Sequence, residues 1–253
     1  MDATETATLL ADPIQVVGMK FYFDPLTKER GRVHGINVVE FYGLGRAGVL
    51  GDVDTQTVVD AFTFFDPSLI DYFWTQAKTK ADPVAVAASH VEAAYAFADS
   101  AFAELDTQML TRFSDAARQV SEALPFGLCA LVDGYRQYPW PSDPVHGAYL
   151  GAIMLRELRG GLHIVAVHDA QLDVVAACYL QGPDVFALHG YKETDTPEVS
   201  DELRAQKAKA EELTNTAMAS ALDVLSEDQR LALVEGANAM FGALSDPSDS
   251  LSR

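Results

Sequence analysis

The sequence predicts an all-α protein, with room for one small β wing. Three observations carry this. Asp-Pro pairs recur at 66–67, 82–83 and 143–144, each ahead of a segment with apolar residues at helical spacing. Proline suits the first turn of a helix, and the residue before it avoids the helical region. Alanine crowds the stretch 84–103, where its propensity favours an unbroken helix. The alternating pattern of a half-buried strand is thinly represented.

In chain order, residues 1–13 read as a loose polar tail. Phe21-Tyr22-Phe23 and Ile36–Tyr42 are rich in aromatic and β-branched residues, and suit either a strand or an early helix. Asp54 can cap a helix over about 55–65, with Val58, Val59, Ala61, Phe62 and Phe65 on its apolar side. Asp66-Pro67 stops that helix and opens another over about 67–79, holding Leu69, Ile70, Phe73 and Trp74. Helices follow at about 83–105, 108–123, 127–137 and 144–159. Gly160-Gly161 closes the last of these, glycine being common just past a helix end. Gly182-Pro183 and Thr196-Pro197 bracket a stretch, 183–198, that fits a wing hairpin. Helices at 199–224 and 226–243 complete the order; Ser226 with Glu227 and Asp228 behind it is a good start signal. Residues 245–253 read as a second tail.

One domain over 14–244 accounts for this pattern, and two similar halves, about 14–125 and 126–244, account for one detail more. Asp54-Thr-Gln-Thr-Val58-Val59 and Asp169-Ala-Gln-Leu-Asp173-Val174-Val175 both set an aspartate and a glutamine before a Val-Val helix, and a proline follows each, at Pro67 and Pro183. Matches this short also arise by chance.

The second of these stretches is the best helix-turn-helix candidate. Residues 163–182 read as two short apolar helices meeting at a turn near Asp169, yet no lysine or arginine occurs between Arg159 and Lys192. DNA binding depends on cations that neutralise phosphate. The whole chain repeats the message: 18 basic residues against 37 acidic ones give a net charge of −19 over 253 residues. Such a field disfavours nucleic acid and anionic membrane and favours cationic or neutral partners; a small-molecule ligand and a homodimer fit the chain as expected partners. Cys129 and Cys178 sit in apolar surroundings without a CxxC, as buried free thiols do. The acidic N-terminus lacks the features of a signal peptide and no apolar run reaches membrane-spanning length, so a cytoplasmic location is expected.

Candidate binding residues are few because cations are few. Gly43-Leu-Gly45-Arg46-Ala47-Gly48 through Gly51 is the most glycine-dense segment. It reads either as a tight turn with Arg46 paired to an aspartate or as a loop whose amides and guanidinium hold an anion. No Gly-Lys-Ser/Thr follows, and no βαβ context supports a dinucleotide fingerprint. Pro139-Trp140-Pro141 leads into the helix carrying Arg156 and Arg159, three apart on neighbouring positions of one face, with His163 beyond. These arginines either complement the helix dipole or hold an anionic group. The six histidines show no metal-ligand spacing, and no Gly-x-Ser-x-Gly elbow occurs. Phe62, Phe64, Phe65, Phe73 and Trp74 form a core cluster or a pocket wall. Glu202–Glu212 is a mixed-charge helix face, solvated or buried in a homodimer.

Four blocks carry a family resemblance: Phe21–Pro25; Gly45-Arg46-Ala47 through Leu50-Gly51; Val58–Pro67; and Leu155–Gly160 with His163. With Pro139-Trp140-Pro141 they span most of 20–180. In these blocks the chain resembles a group of actinobacterial proteins with a helix-turn-helix, degenerate winged-helix architecture. The resemblance implies a winged-helix-derived scaffold and brings no reaction or ligand with it. Two departures stand out. Thr194-Asp-Thr-Pro197 replaces a clear wing, and Leu150 occupies the place of a histidine in the helix after Pro144.

Together these readings give three functional expectations. The first is a non-enzymatic regulatory protein that holds a small, anionic ligand through Arg46, Arg156, Arg159 and His163, with Trp140 and Phe62 as apolar contacts. The second is a dimeric DNA-binding regulator. The third is an enzyme acting on a small anionic substrate.

Overall fold

The computed structural model describes residues 1–244. Among them the regular structure is helical throughout, as the sequence predicts, and no strand occurs. The helices are α1 (Ala3–Met19), α2 (Pro25–Val33), α3 (Val38–Ala47), α4 (Thr55–Ala61), α5 (Pro67–Ile70), α6 (Pro83–Phe102) and α7 (Thr107–Ala123). They continue with α8 (Ala130–Tyr135), α9 (Pro144–Asp169), α10 (Val174–Tyr179), α11 (Pro183–Leu188), α12 (Asp201–Leu222) and α13 (Glu227–Ala243).

The aspartate caps explain where most of these begin. Asp54, Asp66, Asp82, Asp143 and Asp173 each accept a backbone N–H in the first turn of the helix they precede, at 2.7–3.0 Å. Ser226 and Gln229 form a reciprocal capping box on α13. α5 runs on as a π-helical turn, Asp71–Gln76, and a 3₁₀ turn, Ala77–Thr79, so the segment expected as one helix is helical but irregular.

α9 is the central rod. It packs against α7, α12, α1, α6 and α8, while α3 lies on α6, and α13 joins α7 and α1. Tyr149, Leu150, Ile153 and Leu158 of α9 are buried in the main core with Phe113, Phe102 and Leu10. α10 has a core of its own: Val167, Leu172, Ala176 and Ala177 close on Ala210 of α12.

Four expectations are corrected. Residues 3–13 are not a loose tail; Asp2 caps α1, and Ala7 and Leu10 are fully buried. Gly160-Gly161 does not end α9, which continues to Asp169 because Gly161 lies against Cys129 and needs no side chain there. The wing hairpin over 183–198 is absent, its place taken by α11 and a 3₁₀ turn, Glu193–Asp195. The glycine-dense segment is not an amide-lined loop either. Gly43, Gly45 and Ala47 belong to α3, where a Cβ on Gly43 would come within 2.1 Å of Phe73 and one on Gly45 within 2.5 Å of His90. The glycines permit close helix contact. The expected tail over 245–253 lies outside the described residues.

Candidate functional site

α3 packs on α6 and α6 on α9, an arrangement that brings Arg46 to Glu157. The guanidinium donates from Nε to Oε1 at 2.8 Å and from Nη2 to Oε2 at 2.7 Å, a two-pronged pair in which the carboxylate is 1% exposed. Arg156 donates through Nη1 to the same Oε1 at 2.8 Å. Two guanidiniums thus share one carboxylate, and the buried centre keeps a net positive charge. Burial opposes ionisation of Glu157, but Arg46 and Arg156 outweigh it and hold the carboxyl below its usual range. Arg46, likewise buried, stays charged because Glu157 compensates.

Aromatic groups wall the centre. The Phe62 ring lies 4.4 Å from the Arg46 guanidinium carbon, and Tyr42 accepts from Arg46 Nη1 at 2.9 Å. Tyr22 accepts from Arg156 Nη1 at 3.4 Å and packs edge-on against Tyr42, ring centroids 4.9 Å apart. His90 is wedged among Phe21, Tyr22 and Phe41 at 4.7, 5.6 and 5.4 Å. Burial, reinforced by the charge on Arg46, lowers its pKa to about 3, so the ring is neutral. Among the described residues Arg156 Nε, His90 Nε2 and the Tyr135 hydroxyl are buried without a hydrogen-bond partner, a state shared by Thr27 Oγ1, Trp74 Nε1, Arg136 Nε and Arg159 Nε. Polar atoms in this state are rare in folded proteins.

The centre lies beneath the junction of two helical segments. Asp66, between α4 and α5, donates its N–H to the His189 carbonyl at 2.8 Å, and the Phe65 and His189 rings stand 4.3 Å apart. Burial lowers the His189 pKa, and both Arg46 and Arg156 contribute to the lowering. Phe64 meets His163 at 5.6 Å on the same seam.

Of the six residues singled out in the sequence, Arg46, Arg156 and Phe62 come together here. Arg159 turns to α12, where Nη2 donates to Glu211 at 3.0 Å and Asn215 at 3.2 Å. His163 shares a 2.8 Å hydrogen bond with Thr214 of α12, so it too is a tie between helices. Trp140 stands apart, its indole donating to Ser114 at 2.9 Å beside Gly147 and Gly151. Glu157, Tyr22, Tyr42, His90 and His189 escaped the sequence reading. Glu157 left one usable sign, a lone carboxylate after the apolar run Gly147–Leu155. Among the described residues no group of histidines, cysteines and carboxylates is arranged to hold a metal. Burial raises the Cys129 and Cys178 thiols, which leaves both poor nucleophiles near neutral pH.

At the distal end of α9 the chain turns at Ala170–Leu172, with Gln171 in the left-handed region at φ 55°, and Asp173 caps α10. This is a helix, a tight turn and a second helix on a shared apolar core. Residues 7–196 match the Helix-turn-helix family. The chain belongs to that family. Comparison with curated proteins and with solved structures gave no significant match. In this helix-turn-helix protein the helix after the turn, Val174–Tyr179, bears no cation, and neither does α11 behind it. Among the described residues no helix is long and apolar enough to cross a membrane.

Proposed function

We propose that this helix-turn-helix protein is a regulatory protein that binds a small organic anion at the Arg46–Glu157–Arg156 centre and is itself a poor DNA binder. The observation that carries the reading is the excess guanidinium in a buried site. One carboxylate balances one arginine, and the second has an unpartnered buried Nε. Arg46 has hydrogen bonds at all three of its nitrogens, whereas Arg156 is bonded only through Nη1, so Arg156 is the group with donors to spare. Aromatic side chains and phenol hydroxyls around it provide the mixture of apolar wall and few polar groups that small-molecule sites use.

The position of the centre fits a regulatory role. It lies under the seam between the α4–α5 junction and the end of α11; α5 and α11 each follow an aspartate-capped Val-Val helix, α4 and α10. We read the chain as two related helical units meeting over this seam. The test is a thermal-shift screen against small mono- and dicarboxylates, with wild type beside Arg156→Met. Binding that survives unchanged in the variant removes the proposed anchor.

Family membership favours a second reading, a DNA-binding regulator. Against it, α4, α5, α10 and α11 contain no lysine or arginine between them. Affinity for phosphate without cations is weak.

A further inference from the structure

Two surfaces of the chain carry opposite charge and both expose apolar side chains. The first is built by the 3₁₀ turn at Lys20–Phe23 with α2 and the first turn of α3. In this acidic protein, residues 20–34 hold four cations, Lys20, Lys28, Arg30 and Arg32, against two acids. Phe23, Leu26, Val33, Val38 and Val39 are 38–79% exposed there, the densest run of exposed large apolar residues among those described. Lys28 and Arg32 share an open depression with Ile36 and Val38. Arg30 is engaged by Glu92 and Arg32 by Glu29 in exposed pairs, while Lys28 forms no ion pair among the described residues. The second surface is the end of α9 with α10 and α11. Residues 160–191 hold Asp169, Asp173 and Asp184 and no lysine or arginine, and Val165 and Leu188 are 56% and 52% exposed.

We infer that a second copy of this chain docks here, the basic, apolar surface of α2 in one copy against the acidic, apolar surface of α9–α11 in the other. In the inferred dimer the contact is made twice about a two-fold axis, which closes the assembly. Charge complementarity selects this occupant. Nucleic acid would meet the exposed apolar groups with nothing to cover them, and the chain's net charge of −19 would repel it. The acidic surface of another copy satisfies both the lysine and the apolar groups. At physiological salt, charges more than about 8 Å apart are largely screened, so the contact survives the repulsion between two acidic proteins.

The test is sedimentation velocity in 0.15 M salt over a concentration series reaching about 0.1 mM, enough to saturate a dimer of micromolar Kd. Three samples are compared: wild type, K28E/R32E, and D169K/D184K. Wild type is expected to be dimeric, and each variant alone to dimerise about 100-fold more weakly, as the loss of close interfacial charge pairs implies. An equimolar mixture of the two variants restores complementary charge at both contacts and is expected to dimerise again. Wild type that stays monomeric, a variant that dimerises undiminished by itself, or a mixture that stays monomeric overturns the inference.

Discussion

Arg46 and Glu157, 111 positions apart in sequence, meet through two parallel hydrogen bonds of 2.8 and 2.7 Å in the interior. Arg156 makes the carboxylate a shared counter-charge. The three residues are therefore unequal. Glu157→Gln leaves two buried guanidiniums with no opposing charge and should cost about 3–5 kcal/mol, the range for breaking a buried pair. Arg46→Met leaves Glu157 paired with Arg156 and should cost less. Arg156→Met leaves the two-pronged pair intact and should cost least. Urea unfolding at pH 7 gives the order directly, and an Arg156→Met penalty equal to that of Glu157→Gln would contradict the shared-charge account.

A histidine held neutral in the fold makes stability depend on pH. His90 has a folded pKa of about 3 against about 6.5 when unfolded, so between these values the unfolded chain takes up the proton. The stabilisation is complete above about pH 6.5 and is lost as pH falls, at about 1.4 kcal/mol per pH unit in the middle of that window. The lowered carboxyl of Glu157 acts in the same direction, below about pH 4.3. His90→Phe should remove one proton's worth of slope across the window from about pH 6 down to about pH 3, with the contribution of Glu157 at low pH retained. Chemical denaturation at closely spaced pH values measures it; an unchanged slope would place the titration elsewhere.

Adjacent glycines in α9 should respond in opposite senses. A Cβ at Gly160 meets nothing within 4 Å, so Gly160→Ala gains helix propensity and should stabilise by about 0.5–1 kcal/mol. A Cβ at Gly161 would stand 2.7 Å from Cys129 Sγ, and Gly161→Ala should destabilise by about 1–3 kcal/mol. Adding Cys129→Ala removes the sulfur and should recover part of that loss. Thermal unfolding of the four proteins shows whether the contact is as close as described.

Electrophoretic mobility shift with random-sequence DNA at 50 mM salt should show no retarded band for the folded protein, because residues 160–191, which include the turn and the helix after it, hold no lysine or arginine. A clear shift that weakens steeply with added salt would restore the DNA-binding reading.

Helix starts were legible in the sequence because the caps are local. Asp66, Asp82 and Asp143 announce helices within three residues of themselves. Helix ends were less so. Gly160-Gly161 resembles a terminator, yet whether a glycine ends a helix or lets a neighbour approach depends on Cys129, some thirty residues away in the chain. α1 was hidden by its polar residues and Pro13, although Ala7, Leu10, Ile14 and Val17 form a buried stripe. In the candidate site, scarcity of positive charge drew attention to Arg46 and Arg156, which the fold brings to one carboxylate. It gave no means of telling Glu157 from 36 other acids, since burial is a property of the packed chain. Arg159 and His163 share the helix of Arg156 but face α12, a division that spacing alone does not decide.

The continuity of α9 has a mechanical consequence. Thirteen residues of unbroken helix separate Arg156 from Asp169, about 20 Å at 1.5 Å per residue. Arg156 stands at the middle of this helix, so the charged centre and the turn into α10 are fixed to one rigid rod, and any change in the tilt of α9 is felt at both places.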